Sequence, residues 1–281
     1  MVYRVGGMLL QETQELFRGK VNDVIVCQDM AAISRSFYTV LIIHNHDTVR
    51  RLLEIGEKSG GKLGTGYVNG FSWKESYLLI YDYQAERPIE QFFSATIQKA
   101  ADCERVCTNI ILECPTSESP YPLLYLQLTQ NQINLSQDGN VSLGYKLDLA
   151  ELSEAKTEQD CASLCAKKLF LLLEQVGAVN STSYQLLEMK NQREGYTRFL
   201  DLYREMYTAT LSMEKVGAGA RAKSFFKRHQ GKLTKVLFTV CIILAVLALL
   251  MITSQLIFGD IPFLRLLVNS FKKIGTESLL N

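Results

Sequence analysis

The period of apolar positions changes along the chain. Residues 21–29 and 37–44 are β-favouring runs, and the second, FYTVLIIH, is nearly continuous, as expected of a strand central in a sheet. Asn45 or Asp47 then offers a cap to a helix carrying Val49, Leu52, Leu53 and Ile55, which Ser59, Gly60 and Gly61 bring to an end. Two further extended runs, 66–73 and 76–83, meet at Lys74 and Glu75 as in a hairpin. From Pro88 the spacing becomes helical. Ile89, Phe92 and Phe93 begin one helix, and Ile97, Ala101, Val106, Ile110 and Ile111 mark a second over 97–113. Pro115, Ser117, Ser119, Pro120 and Pro122 predict a break. A small hairpin is expected from 133–135 and 141–143 around the turn-forming residues 136–140. Residues 160–174 predict a helix with Leu164, Leu169, Phe170, Leu172 and Leu173 turned inward, and 184–213 supply further helical material.

The pattern then stops being amphipathic. Residues 236–258 (VLFTVCIILAVLALLMITSQLIF) form 23 positions without a charge. At about 1.5 Å per residue that is long enough to cross about 30 Å of hydrocarbon. The polar side chains within it, Thr239, Thr253, Ser254 and Gln255, lie mostly near one end and make no stripe. A membrane-spanning helix is therefore expected. Arg221, Lys223, Lys227, Arg228, Lys232 and Lys235 precede it, whereas Arg265, Lys272 and Lys273 follow, so the N-terminal part is expected in the cytosol. The first 17 residues lack the long apolar core of a signal peptide. The basic stretch serves either to hold topology or to bind anionic lipid. Past the span, Asp260 and Pro262 read as a helix start, and Ile261, Leu264, Leu267, Val268 and Phe271 recur at helical spacing. This short external tail would lie on the outer membrane surface or meet a partner.

Charge sharpens the division. The chain carries +1 overall, yet residues 1–215 hold 21 Lys and Arg against 27 Asp and Glu, and residues 216–281 hold 9 against 2. The basic surplus thus sits beside the apolar stretch rather than on a folded face interleaved with aromatic residues, which argues against a nucleic-acid partner. The seven cysteines are odd in number and form no Cys-x-x-Cys knuckle. Cys103 with Cys107, and Cys161 with Cys165, stand one helical turn apart and are expected to be buried thiols rather than a disulfide framework or a metal site. GGKLGTG at 60–66 has the composition of a phosphate loop, but it follows a helix and precedes a strand, the reverse of the order such loops need. His44, Asn45, His46 and Asp47 fall at a strand-to-helix junction, where turn and capping roles suffice.

A strand-rich half with one inserted helix, an extended connection, and a helical half holding one small hairpin is an order that resembles the protein kinases. Residues 77–83 (YLLIYDY) are similar to the kinase fifth strand and hinge, and Arg87, Pro88, Ile89 and Phe92 to the helix after it. Residues 124–135 (LYLQLTQNQINL) resemble the catalytic loop, and 136–143 (SQDGNVSL) the hairpin before the magnesium-binding motif. Asp160, Ser163, Leu164 and Phe170 fit the Asp-x-x-Ser-Leu-Gly helix, with Cys165 in place of glycine. The resemblance covers about residues 8 to 213 and implies an α+β fold: a kinase-like N-lobe over 1–85 and C-lobe over 86–215, then a basic linker (216–235), the span (236–258) and the tail (259–281).

Against that template the positions for phosphoryl transfer carry other chemistry. The His-Arg-Asp triplet falls on Tyr125, Leu126 and Gln127, and the metal-binding Asn on Gln132. Asp-Phe-Gly falls on Tyr145, Lys146 and Leu147, and the strand lysine near Leu41, leaving Glu54 or Glu57 without its ion-pair partner. Mg²⁺ needs carboxylate oxygens that this set does not offer. The resemblance therefore implies a pseudokinase with no catalytic residues, cofactor or metal, tethered to the cell membrane and binding protein partners on its cytosolic side. Its layout is similar to the membrane pseudokinase subunit of bacterial type VII secretion systems. The alternative is an atypical membrane-bound nucleotide-dependent kinase or transferase, for which Asp138 and Asp148 are the acids near the expected cleft. An oligomer joined through the span is a third option, without a Gly-x-x-x-Gly face to support it.

Overall fold

The computed structural model describes residues 1–33, 35–96, 100–178, 181–192 and 195–215, and isolated residues between Phe238 and Thr253. The chain divides into two units, Met1–Lys215 and Val216–Asn281. The first is a mixed α+β structure in which a strand-rich N-terminal sheet is followed by a helical C-terminal part.

The sheet contains β1 (Val2–Val5), β2 (Met8–Arg18), β3 (Asn22–Asp29), β4 (Phe37–Ile43), β5 (Tyr67–Trp73) and β6 (Ser76–Asp82) in the order β1-β2-β3-β4-β6-β5, with every pairing antiparallel. Successive side chains point to opposite faces, and both faces are buried in the central strands. Val24, Leu41, Ile43, Leu79 and Tyr81 face the helical half, while Ile25, Cys27, Val40, Ile42, Leu78 and Ile80 face the other way. That second face is closed by the sheet itself. Tyr3, Val5 and Leu10 arrive from β1 and β2, and Tyr3 meets Trp73 of β5 edge-on, ring centroids 4.8 Å apart. Burial on both sides is why residues 37–43 read as an unbroken apolar run.

Helix α1 (His46–Lys58) lies between β4 and β5. Of the two candidate caps Asn45 acts: its side-chain oxygen accepts from Thr48 N at 2.9 Å. The helical part comprises α2 (Ile89–Thr96), α3 (Ala100–Thr116), α4 (Tyr121–Thr129), the hairpin β7 (Ile133–Leu135) and β8 (Val141–Leu143), a 3-10 turn over Leu149–Glu151, α5 (Glu158–Gln175), α6 (Thr182–Asn191) and α7 (Phe199–Lys215). Helix α5 starts two residues before Asp160, because Thr157 and Asp160 form a reciprocal capping box. Residues 184–213 are not one helix but parts of two.

The proline-rich segment departs from expectation. Only 117–120 breaks the chain, with Glu118 at φ +54. Pro120 is the N-cap of α4 and Pro122 lies in its first turn, where a missing N–H sacrifices no helical bond. The segment 124–135, expected as a catalytic loop, is therefore helical as far as Thr129.

The basic residues Arg221, Lys223, Lys227, Arg228, Lys232 and Lys235, and the tail 259–281, lie outside the described residues. So does most of 236–258. Its described positions are helical, and Phe238, Ile242, Val246, Leu249, Met251 and Ile252 are exposed. Among the described residues no helix is long and apolar enough to cross a membrane.

Candidate functional site

Strands β3, β4 and β6 present their inner face to the helical half, and the segment after β8 crosses that face. The positions aligned with kinase chemistry meet here, and most of them are core. Leu41, 1% exposed, packs in one cluster with Leu79, Tyr81, Leu123, Leu126, Tyr145 and Leu147. Tyr145 lies flat on Tyr81, ring centroids 3.7 Å apart and planes within 18°. Its hydroxyl donates to Thr65 O at 2.7 Å. Burial pushes both phenols well above their ordinary range, so neither ionises at neutral pH.

The triplet Tyr125, Leu126 and Gln127 is not assembled as a catalytic group. On a helix consecutive side chains diverge by about 100°, and the three go separate ways. Tyr125 packs toward the helical core with the Lys156 ammonium 4.1 Å from its ring centroid. Leu126 joins the inter-half cluster. Gln127, fully buried, donates to Gly144 O at 3.2 Å. Gln132 turns back on the chain, its Nε2 donating to Gln130 O at 3.0 Å.

Polar groups complete the closure. The buried Asn22 side chain bridges the crossing segment: Nδ2 donates to Leu147 O and Oδ1 accepts from Leu149 N, both at 2.8 Å. Lys146 is part-exposed and pairs with Glu86, Nζ to Oε2 3.4 Å. Arg87 N donates to Asn134 Oδ1 at 3.0 Å and Arg87 Nε to Leu135 O at 3.1 Å, fixing the connection between the halves to the β7–β8 hairpin. The space left among Leu16, Thr39, Gln84, Asn134, Tyr145 and Lys146 is about 20 Å³. That is room for about one water.

The remaining acids stand elsewhere. Glu54 and Glu57 are exposed on α1, whose buried face is Thr48, Leu52, Ile55 and Gly56. Glu54 lies 3.9 Å from Arg50 one turn back on the same helix. The register of α1 turns both outward, away from Leu41. Asp138 is exposed in the β7–β8 turn, and Asp148 caps the 3-10 turn by accepting from Ala150 N at 2.9 Å.

The glycine-rich loop has a mechanical role. Gly60 and Gly61 close α1 at φ +69 and +82, with Gly61 N donating to Gly56 O at 2.8 Å. Thr65 Oγ1 then donates to Ser117 O at 2.9 Å, and Lys62 pairs with Glu118, so the loop straps the sheet to the helical half. His44 bridges Asp23 and Ser76 at 3.0 and 3.1 Å on the surface. Cys103, Cys107, Cys114, Cys161 and Cys165 are all buried in the helical core, and burial pushes the Cys161 thiol up to about 12. Among the described residues no group of His, Cys, Asp and Glu is arranged to hold a metal ion.

The Asn22 bridge, the Tyr81–Tyr145 stack and the Thr65 strap are the features the sequence did not announce. Each joins residues more than fifty positions apart, and no local pattern signals such a pairing. No protein-family model and no curated protein matches this sequence.

Proposed function

We propose that this chain is a membrane-anchored pseudokinase, a partner-binding scaffold whose N-terminal unit presents a fixed surface to cytosolic proteins. The observation that carries this reading is the filling of the cleft. Leu41, Tyr81, Tyr145 and Leu147 pack where the resemblance would place the strand lysine, the hinge side and the metal-binding motif. A small-molecule site of ordinary size needs hundreds of Å³. A scaffold, by contrast, gains from two halves welded into one shape, since a rigid surface loses less entropy on binding.

Further support comes from the order of elements, in which six antiparallel strands with one inserted helix lead through an extended connection to helices and a small hairpin. The membrane part of the proposal rests on the charge-free stretch 236–258 and the basic residues before it. Membership of a secretion complex is the narrower form, resting on layout alone.

The test is an ATP titration of residues 1–215, with and without Mg²⁺, read by thermal shift and by phosphate release. The expected outcome is no stabilisation and no turnover. Metal-dependent stabilisation with turnover would replace the scaffold by an atypical kinase or transferase.

A further inference from the structure

Helix α3 carries one carboxyl that the packing leaves without a charge partner. Glu104 is 3% exposed and lies where α7 packs on α3, with Ser183 of α6 reaching it. Ser183 Oγ, in the first turn of α6, donates to Glu104 Oε2 at 2.5 Å. Oε1 is buried and receives no hydrogen bond. The Thr210 hydroxyl of α7 also acts on the carboxyl and, like Ser183, favours its charged form, but its own hydrogen bond runs to Met206 O at 3.0 Å.

The surroundings hold no compensating charge. From α3 itself come the buried thiols Cys103 and Cys107, and beyond them Cys165 from α5. From α6 comes Ser183 and from α7 Thr210, with Met206 and Ala209 buried beside it. Val141 and Leu143 of β8, also packed on α3, bring none. Asp102 and Arg105 pair with each other on the exposed side of α3. Among the described residues no cation acts on the carboxyl.

Hydrogen-bond accounting then selects one protonation state. A carboxylate would leave Oε1 without a hydrogen bond and would bury a bare charge, which is costly. A neutral acid buries no charge and keeps the Ser183 bond, with Oε2 as its carbonyl oxygen and the proton on Oε1. We propose that Glu104 is held as a neutral carboxylic acid and makes the contact between α3 and α7 a pH-sensitive latch. Raising the pH passes its proton to solvent base and leaves a charge under α7, the helix that closes the first unit at Lys215. The direction of titration agrees, since burial pushes the carboxyl above its ordinary value. A group raised on folding favours the folded state most at low pH, and that advantage is lost as the pH climbs through the raised value.

The test is hydrogen exchange of residues 199–215 in the full chain in detergent micelles, corrected for the intrinsic pH dependence of exchange. Wild type is expected to lose protection as the pH rises above the ordinary carboxylate range, at most about tenfold per unit, the limit for one proton. Glu104→Gln keeps a donor at this position and is expected to hold protection constant. Ser183→Ala removes the bond that favours the charged form and is expected to move the loss to higher pH. Should Glu104→Gln fail to fold, infrared spectra of wild type supply the readout: a protonated-carboxyl band that fades in step with the loss of protection. An unchanged slope in Glu104→Gln, or no such band at the acid end of the range where the chain is folded, overturns the latch.

Discussion

The back and the rim of the cleft close by different physics. At the back, Leu41, Tyr81, Tyr145 and Leu147 exclude water and the Asn22 side chain satisfies two backbone groups that crossing the sheet would orphan. At the rim, Lys146 and Glu86 meet across 3.4 Å with each side chain 37% exposed. Burying a large apolar side chain stabilises by about 2 kcal/mol, whereas an exposed ion pair contributes about 0 to 1 kcal/mol. The back therefore holds the halves together and the rim decorates the seam. A charged motif position can thus stand at the mouth of a cleft without meaning that the cleft works.

The largest break in that comparison is Leu41→Lys, which puts a lysine at the position that the kinase resemblance sets near the strand lysine. Here it places an unpaired ammonium among apolar side chains, and a loss of about 3 to 5 kcal/mol is expected from urea midpoints, with no gain of ATP binding. A variant as stable as wild type that bound ATP would show the back to be open. Next comes Asn22→Ala, which leaves Leu147 O and Leu149 N buried without partners. A loss of about 2 to 4 kcal/mol is expected, also by urea unfolding. The smallest effect sharpens the contrast: Lys146→Ala is expected to cost less than about 1 kcal/mol and to fade in salt. A loss as large as that of Asn22→Ala would place the rim among the elements that hold the fold.

Much of the architecture was legible in local pattern. Strands β3 to β6, helices α1 and α5 and the β7–β8 hairpin follow from period and from turn residues that act on their immediate neighbours, as Asn45 does on Thr48. Strands β1 and β2 were not legible. The strand MLLQETQELFR is mostly polar, half exposed, and held in place by pairing with β3. Helix α4 was misplaced because Pro120 and Pro122 read as breakers in isolation, whereas at a helix start they cost nothing. The resemblance to kinases also drew 124–135 toward a loop. In the site, the residue types at 127 and 145, where the kinase resemblance expects carboxylates, were legible, but not that these side chains pack in the core.

By itself, the sequence determined an α+β order of elements, an acidic first part, a charge-free stretch over 236–258 and the lack of kinase acids at the aligned positions, because each depends on residue type and spacing along the chain. Only the tertiary structure decided that the cleft is filled, that Glu54 and Glu57 face outward and that Glu104 meets Ser183 and Thr210 without a counter-charge. Those outcomes depend on which distant groups share a buried volume. Burial, not composition, sets whether a polar atom is satisfied and whether a charge is tolerated.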